Sequence, residues 1–263
     1  MDRVPKRAIL HIGTHKTGTT SFQHWLRIHH LRLALEHGID IYEGLFQNNR
    51  EIALLCADGS KQYPTMRRIP EWNTEHWQHH VTQHVLSQVE GPAKTLVIAS
   101  ETLSFLRNPA ELSALAKLLT TREVTVVVTL RERNDYLRSW AEHLTRDGFT
   151  LSNDPNSFAY VQADSWLADY DSLLAAYRNQ FGQDSVRVVD YEAEILAHTS
   201  VIPGIMKHIV TTTDNLPEWH GVFKNSSKQF SEMQKPFLQR VIRRLTRRQS
   251  PRAKSLRLIL RRK

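Results

Sequence analysis

The sequence contains a single cysteine, Cys56, among its 263 residues. It therefore forms no disulfide within the chain, which fits a reducing compartment such as the cytosol. No apolar run approaches the roughly 20 residues that a membrane-spanning helix needs, and no secretory leader precedes the first short apolar segment. From these absences we expect a cytoplasmic protein.

Acidic residues are scarce towards the C-terminus. The chain has 35 Lys and Arg against 27 Asp and Glu, and its calculated pI is about 9.7. Four apolar residues recur at helical spacing among the arginines of residues 236–263, and no acid follows Pro251. We predict a domain over residues 1–235 and a basic amphipathic tail over residues 236–263. The tail could bind an acidic glycan, lie peripherally on an anionic membrane, or serve as a solvated end, and no specific nucleic acid is expected.

The rest of the composition is ordinary for a globular protein, with 40% hydrophobic and 24% charged residues. Five short apolar segments read as strands: 8–12, 39–42, 95–99, 124–130 and 186–189. The continuous apolar character of 124–130 is typical of a parallel strand buried on both faces. Helical periodicity separates these strands, including a helix predicted over residues 166–180. The pattern predicts an α/β fold around a parallel sheet.

A glycine-rich turn follows the first strand and leads directly into a helix. Gly13 and Gly18 have the spacing of the nucleotide-binding pattern G-x-x-x-x-G-K-[ST], but Thr19 stands where that pattern has lysine. The lysine lies inside the turn, as Lys16. Backbone N–H groups at a helix N-terminus favour a phosphate or a similar anion. The alternative is a strand-to-helix turn without a ligand.

The segment HIGTHKTGTTSFQ resembles the 5′-phosphosulfate loop of sulfotransferases that use 3′-phosphoadenosine 5′-phosphosulfate (PAPS), most closely the bacterial carbohydrate-type members. The resemblance implies a three-layer P-loop-type fold with a central parallel sheet flanked by helices. It also implies transfer of a sulfuryl group from PAPS to an acceptor hydroxyl or amine without a metal, with a glycan or small molecule as the expected acceptor. Lys16 would stabilise charge on the bridging oxygen. The implied loop ligands of the donor are His15, Lys16, Thr17, Gly18, Thr19 and Thr20.

A second motif follows the strand over 124–130. Arg131 stands at the end of this strand and Ser139 eight residues later. An arginine offers a planar bidentate fork to a phosphate, and a serine adds a neutral donor. The spacing is similar to that of the 3′-phosphate site of the same family. The alternative is a charged helix start in which Arg131 pairs with a glutamate.

Two carboxylates are candidates for the base that accepts the acceptor's proton. Glu43 and Glu101 each follow a predicted strand, at the edge of a parallel sheet where ligands bind. A Ser-Glu pair such as Ser100-Glu101 often follows the corresponding strand in the bacterial relatives, so we rank Glu101 above Glu43. The alternative for Ser100 and Glu101 is a helix cap and a solvated acid.

A late segment, residues 221–230, is expected to close over the nucleotide. By resemblance, Lys224, Asn225 and Ser226 contact the 3′-phosphoadenosine portion. The histidines of residues 76–84 have spacings that a metal could use, but they lack a third ligand and we expect no metal.

Two other functions remain open at this stage. One is a P-loop kinase or NTPase, which the displaced lysine and the absence of a strand-terminal aspartate disfavour. The other is a non-catalytic protein that binds acidic glycan or nucleic acid through the basic tail.

Overall fold

The computed structural model describes residues 5–61, 63–213 and 215–219, with the backbone alone described for Gln47. Within these residues the chain forms one sheet of five strands and eight α-helices. The strands are β1 (Arg7–His11), β2 (Ile39–Ile41), β3 (Thr95–Ala99), β4 (Glu123–Leu130) and β5 (Val186–Asp190). The helices are α1 (Thr19–His37), α2 (Glu51–Cys56), α3 (Glu75–Val89), α4 (Pro109–Leu118), α5 (Arg133–Arg146), α6 (Tyr170–Phe181), α7 (Tyr191–His198) and α8 (Ile202–Met206).

All strands of this sheet are parallel, in the order β2-β3-β1-β4-β5. The central strand β1 pairs with β3 on one side and β4 on the other, so that Leu10 lies opposite Ile98 and Val126. From β1 the chain continues to β2 and then β3 on one side of β1. It then crosses to β4 and β5 on the other side. Parallel sheets bind ligands at the carboxyl edge where the order reverses, which here is the edge beyond β1.

The core has two parts because successive residues of a strand point to opposite faces. Ala8 and Leu10 belong to the face covered by α2 to α6, whereas Ile9 belongs to the face covered by α1, α7 and α8. Helices therefore cover both faces of the sheet. The predicted three-layer α/β fold is confirmed.

Strand positions agree with the predicted ones to within two residues, and one helix differs. The helix predicted over 166–180 is a 3₁₀ turn, Trp166–Ala168, followed by α6. Asp169 separates them because its side chain accepts a hydrogen bond from Ser172 N and caps α6. The predicted domain boundary at residue 235 lies outside the described residues.

Arg122 secures the amino edge of the sheet. Its side chain is buried, with 6% of the residue exposed. The guanidinium donates to the carbonyl oxygens of Arg7, Val89, Gly91 and Ala93, which belong to β1, to the end of α3 and to the connection between α3 and β3. A single side chain thus binds four backbone carbonyls at this edge, and the carbonyl of Gly91 also accepts from Lys6 Nζ over 2.8 Å.

None of the helices described combines the length and apolar character needed to cross a membrane.

Candidate active site

The loop between β1 and α1 runs along the end of β4. Ile12 N and Thr14 N donate to Val127 O and Thr129 O over 3.0 and 3.2 Å. Helix α1 then begins at Thr19, so its first N–H groups lie at the carboxyl edge of the sheet. The positive end of the helix and the unpaired donors of its first turn make this edge suitable for an anion.

The backbone of this loop needs its glycines. A Cβ on Gly13 would lie 2.6 Å from Thr19 Oγ1 and 2.8 Å from Thr17 Oγ1, and Gly18 adopts a left-handed conformation with φ 83°. Lys16 is also left-handed, with φ 67°. Such a backbone is uncommon for residues other than glycine and is often found at functional sites.

Polar atoms without partners collect around the loop. The Thr17 hydroxyl donates to Thr14 O within the loop itself. By contrast, Thr19 Oγ1, His15 Nδ1 and Arg131 Nε are buried without a hydrogen-bond partner among the described residues. Buried polar atoms in proteins are almost always paired. Three such atoms near one helix N-terminus fit a site whose remaining partners belong to a ligand.

Glu101 lies beside this loop, in a 3₁₀ turn (Glu101–Phe105) that follows β3. Its Oε1 accepts a hydrogen bond from Asn48 Nδ2 over 3.1 Å and lies 3.9 Å from His15 Nε2. Burial raises the pKa of Glu101, while the positive charges of Arg50 and Lys16 act against this rise. The carboxylate is thus a stronger base than a solvated one.

Lys16 is half-buried and lies within the electrostatic field of Glu101. Burial lowers the pKa of Lys16, the charge of Arg146 lowers it further, and Glu101 opposes the change. Its charged neighbours thus belong to the turn after β3 and to the end of α5. An anion held in the loop would favour its charged form.

His15 is a neutral, packed residue of the loop. Its ring stacks on Phe105 with centroids 4.9 Å apart and contacts Trp140 at 4.3 Å. Burial lowers the pKa of His15 to about 3, with further contributions from Lys16 and Arg50. At neutral pH it would therefore contact a ligand as a neutral imidazole through Nδ1.

Arg131 leaves the end of β4 next to the loop, two residues after the carbonyl of Thr129 that binds Thr14. Its Nε lies 3.7 Å from Glu192 Oε1, and its Nη2 lies 3.9 Å from Asp135 Oδ2. These distances are longer than the 2.7–2.9 Å of a strong charge-assisted hydrogen bond. The glutamate pairing considered for Arg131 is thus present but loose.

Ser139 lies on α5, half-buried, immediately before the Trp140 that contacts His15. Helix α5 therefore carries Ser139 along the same edge of the sheet as the loop. Its N-terminus follows Arg131 by one residue, Glu132, whose carboxylate accepts from Asn134 N and Asp135 N.

Glu43 has different surroundings from Glu101. It is exposed beyond β2, at the edge of the sheet. Its backbone N–H donates to Gln88 Oε1, and its carbonyl accepts from Gln88 Nε2 and from His84 Nε2. Its charge acts on Arg27. The structure thus brings Glu101 beside His15 and Lys16, and places Glu43 against α3.

Several residues of this site were not singled out from the sequence. Asn48 and Arg50 reach Glu101 from the segment between β2 and α2, and His143 contacts Trp140 with ring centroids 5.2 Å apart. Burial lowers the pKa of His143 to about 4. The i, i+4 spacing of Ser139 and His143 on one helix face was the signal available. Nothing in the irregular segment marked Asn48 or Arg50.

Lys224, Asn225 and Ser226 lie outside the described residues, as does the basic tail, so their roles stay predictions. Among the residues described, no three His, Cys, Asp or Glu side chains lie close enough together to hold a metal ion. Cys56 is buried and unpaired.

Comparison with known proteins gives a structural likeness and no sequence match. No protein-family model matches the chain, and no curated protein is similar in sequence. The fold is similar to the crystal structure of a sulfotransferase from Alicyclobacillus acidocaldarius, with a TM-score of 0.55, 17% identity, and 89% of this chain and 92% of that chain covered. A sulfotransferase domain from the curacin biosynthetic pathway matches with a TM-score of 0.44 and 11% identity, over 86% of this chain and 80% of that one. The chain therefore has the fold of a solved sulfotransferase.

Proposed function

From this fold and site we propose that the protein is a PAPS-dependent sulfotransferase. It transfers a sulfuryl group to an acceptor hydroxyl or amine, with a carbohydrate as the favoured acceptor. The observation that carries the proposal is the set of buried polar atoms on Thr19, His15 and Arg131 that lack a hydrogen bond among the described residues, at the carboxyl edge of the sheet. Lys16 and Glu101 lie beside His15, which supports their proposed roles as the cation and the base of one anion site.

The donor's two anionic ends would be bound by different elements. Backbone N–H groups over residues 17–20 and the Thr19 hydroxyl would hold the 5′-phosphosulfate at the N-terminus of α1. Arg131 and Ser139 would hold the 3′-phosphate. The placement of Arg131 after β4 and of the loop after β1, on adjacent strands, supports this division.

The transfer step needs a base and stabilisation of the leaving group. The acceptor oxygen attacks sulfur, the bond from sulfur to the bridging oxygen breaks, and 3′-phosphoadenosine 5′-phosphate leaves. Glu101 would accept the acceptor's proton, with Glu43 as the less favoured candidate. Lys16 would stabilise the negative charge that develops on the bridging oxygen. Positioning and preorganised charge supply the rate enhancement in this scheme.

The spacing of Gly13 and Gly18 also suits a kinase or NTPase, so the test compares nucleotides. Calorimetric titration would measure binding of 3′-phosphoadenosine 5′-phosphate and of ATP, each with magnesium and with a chelator. We expect metal-independent binding of the 3′-phosphorylated nucleotide. Preference for ATP with magnesium, or no nucleotide binding by folded protein, would overturn the proposal.

Two arginine variants sharpen this test. Arg131→Ala should weaken binding of the 3′-phosphorylated nucleotide about 10- to 100-fold, which corresponds to the loss of hydrogen bonds to a charged group. Arg133→Ala is the matched control, because Arg133 lies two residues further on and pairs with Asp171 over 3.0 Å. Equal losses in both variants would remove the specific role of Arg131.

A further inference from the structure

A cavity of about 420 Å³ lies outside the set of residues assigned to the donor and to proton transfer. Its walls are residues 60–61, Arg67 and much of residues 149–159. Serine and asparagine side chains line part of it, and Phe149 and Leu151 add an apolar wall. Leu151 is 45% exposed, so this apolar surface is open to an incoming molecule.

The cavity carries two cations supported by aromatic rings. Lys61 Nζ lies 4.3 Å from the ring centroid of Trp166, and Arg67 Cζ lies 5.6 and 5.8 Å from those of Phe149 and Phe158. Across the described ranges, no carboxylate oxygen lies within 4 Å of either cation's nitrogen atoms. Both cations are held in place by the faces of aromatic rings.

The nearby acids are engaged elsewhere. The Asp154 carboxylate accepts from the backbone and side chain of Asn156. Asp58 accepts from Ser60 N over 2.8 Å and from Asn108 Nδ2 over 2.6 Å. Among the described residues neither acid forms an ion pair with the two cations, although the charges of Asp58 and Glu111 act on Lys61. Asp154 lines the cavity together with Lys61 and Arg67, so the lining carries one net positive charge.

The cavity shares a wall with the candidate active site. Trp140 Nε1 donates to Phe158 O on the cavity side over 2.9 Å, and the Trp140 ring contacts His15 on the other side. Arg68, which follows Arg67, pairs with Asp147 over 2.6 Å. Asp147 in turn acts on the charge of Lys16. One layer of side chains thus separates the cavity from the loop that carries Lys16.

We propose that this cavity anchors the acceptor by binding an anionic group through Lys61 and Arg67. The inference rests on the proposed sulfotransferase function and narrows the acceptor to molecules that carry a carboxylate or a sulfate away from the reacting group. An acidic saccharide meets these requirements, because the sugar ring can cover the apolar wall while its charge meets the two cations.

The test uses the full-length protein and matched acceptors. One disaccharide carries a terminal uronic acid, a second has the neutral sugar in its place, and a hydroxyaryl carboxylate supplies the charge without the sugar. Transfer from PAPS gives kcat and KM for each acceptor. The protein variants are Lys61→Gln, Arg67→Gln and their combination, with Arg187→Gln on β5 as an exposed control.

We expect kcat/KM for the uronic acid disaccharide to exceed that of the neutral one about tenfold or more. The double variant should bring the two close to parity by raising KM for the charged acceptor, with kcat and the affinity for 3′-phosphoadenosine 5′-phosphate unchanged. Better use of the hydroxyaryl carboxylate would identify a non-sugar anion as the ligand. Equal use of the charged and neutral disaccharides, or a preference that survives in the double variant, would overturn the proposal.

Calorimetric titration with the uronic acid disaccharide separates this proposal from the proposed function. Absence of both transfer and nucleotide binding would count against the sulfotransferase. Binding of the disaccharide that the double variant loses and Arg187→Gln retains would still support the anion site. Equal binding by wild type and the double variant would contradict it.

Discussion

His15 Nε2 lies 3.9 Å from Glu101 Oε1, and this pair joins the loop after β1 to the turn after β3. The contact follows from the topology, because His11 and Ala99 are paired at the ends of adjacent parallel strands. Since the pKa of His15 is lowered to about 3, its imidazole is neutral at pH 7 and does not form an ion pair with Glu101. The carboxylate therefore remains available as a proton acceptor.

Glu101→Gln should lower kcat for sulfuryl transfer by about 10²- to 10⁴-fold, the range for loss of a general base. Affinity for 3′-phosphoadenosine 5′-phosphate should stay within about twofold, because the substitution keeps the size of the side chain. Glu43→Gln is the matched control and should retain activity. If Glu43→Gln shows the large loss and Glu101→Gln does not, the base is Glu43.

The pH dependence of wild-type transfer should report the same group. Glu101 acts as a base only when deprotonated, and burial raises its pKa above the ordinary value of 4.5. The rate should therefore fall as the pH is lowered through a midpoint above 4.5. An acid limb with its midpoint at or below that value would argue against a buried carboxylate as the base.

Lys16→Ala should lower turnover by about 10²- to 10³-fold, as expected when a charge that stabilises the leaving group is removed. Lys16 has φ 67°, and alanine also carries a Cβ, so the substitution leaves the backbone strain of this position as it is. Lys16→Asn is a second variant without the charge, because asparagine tolerates this conformation. Circular dichroism would confirm that both variants fold. Near-normal turnover in the asparagine variant would remove the proposed role of Lys16.

Most of the sheet could be predicted from the sequence because buried parallel strands are continuous apolar segments. Residues 95–99 and 124–130 have this character, and both are strands. The break between the 3₁₀ turn and α6 was not predicted, because apolar spacing continues across it. Helix α6 begins after Asp169 because the Asp169 side chain accepts a hydrogen bond from Ser172 N. Apolar periodicity does not reveal such a cap when the pattern continues across it.

The candidate site likewise contains residues that the sequence indicates and residues that it does not. Lys16, Glu101 and Arg131 could be proposed from the sequence because each lies in the segment that follows a strand, and parallel strands end at one edge. Asn48 and Arg50 could not, because they come from an irregular segment whose path depends on tertiary packing. Ser100 Oγ, for example, donates to the carbonyl of Asn48 over 2.8 Å.

Arg122→Met should lower the free energy of unfolding by about 1–3 kcal/mol, measured by urea denaturation. The reason is that four carbonyl oxygens lose a hydrogen bond, although Gly91 O keeps its bond from Lys6 Nζ, and an unpaired buried acceptor is costly. Arg138→Met, at an arginine whose side chain is 70% exposed, is the control and should change stability by less than about 0.5 kcal/mol. Equal effects would mean that Arg122 does not secure this edge.

Glu51 should make stability depend on pH in the direction opposite to an ordinary acid. Its Oε1 accepts from Tyr42 OH over 2.8 Å and from Leu45 N over 3.1 Å, whereas its Oε2 is buried without a partner in the described part of the chain. Burial raises the pKa of Glu51 to about 7, against an ordinary 4.5. The folded protein thus holds a proton that the unfolded chain releases between these values.

A comparison of wild type with Glu51→Gln isolates this effect, because the glutamine keeps Oε1 as the acceptor and does not titrate. The stabilisation that Glu51 supplies when protonated is fully present below pH 4.5 and is lost as the pH rises through about 7. Between these values, the free energy of unfolding of the wild type, measured by urea denaturation, should fall relative to that of the variant by up to about 1.4 kcal/mol per pH unit. Above about pH 8 the difference should be constant. Parallel plots of unfolding free energy against pH for the two proteins would contradict this prediction. They would show that Glu51 titrates as a solvated acid and that its surroundings are open to water.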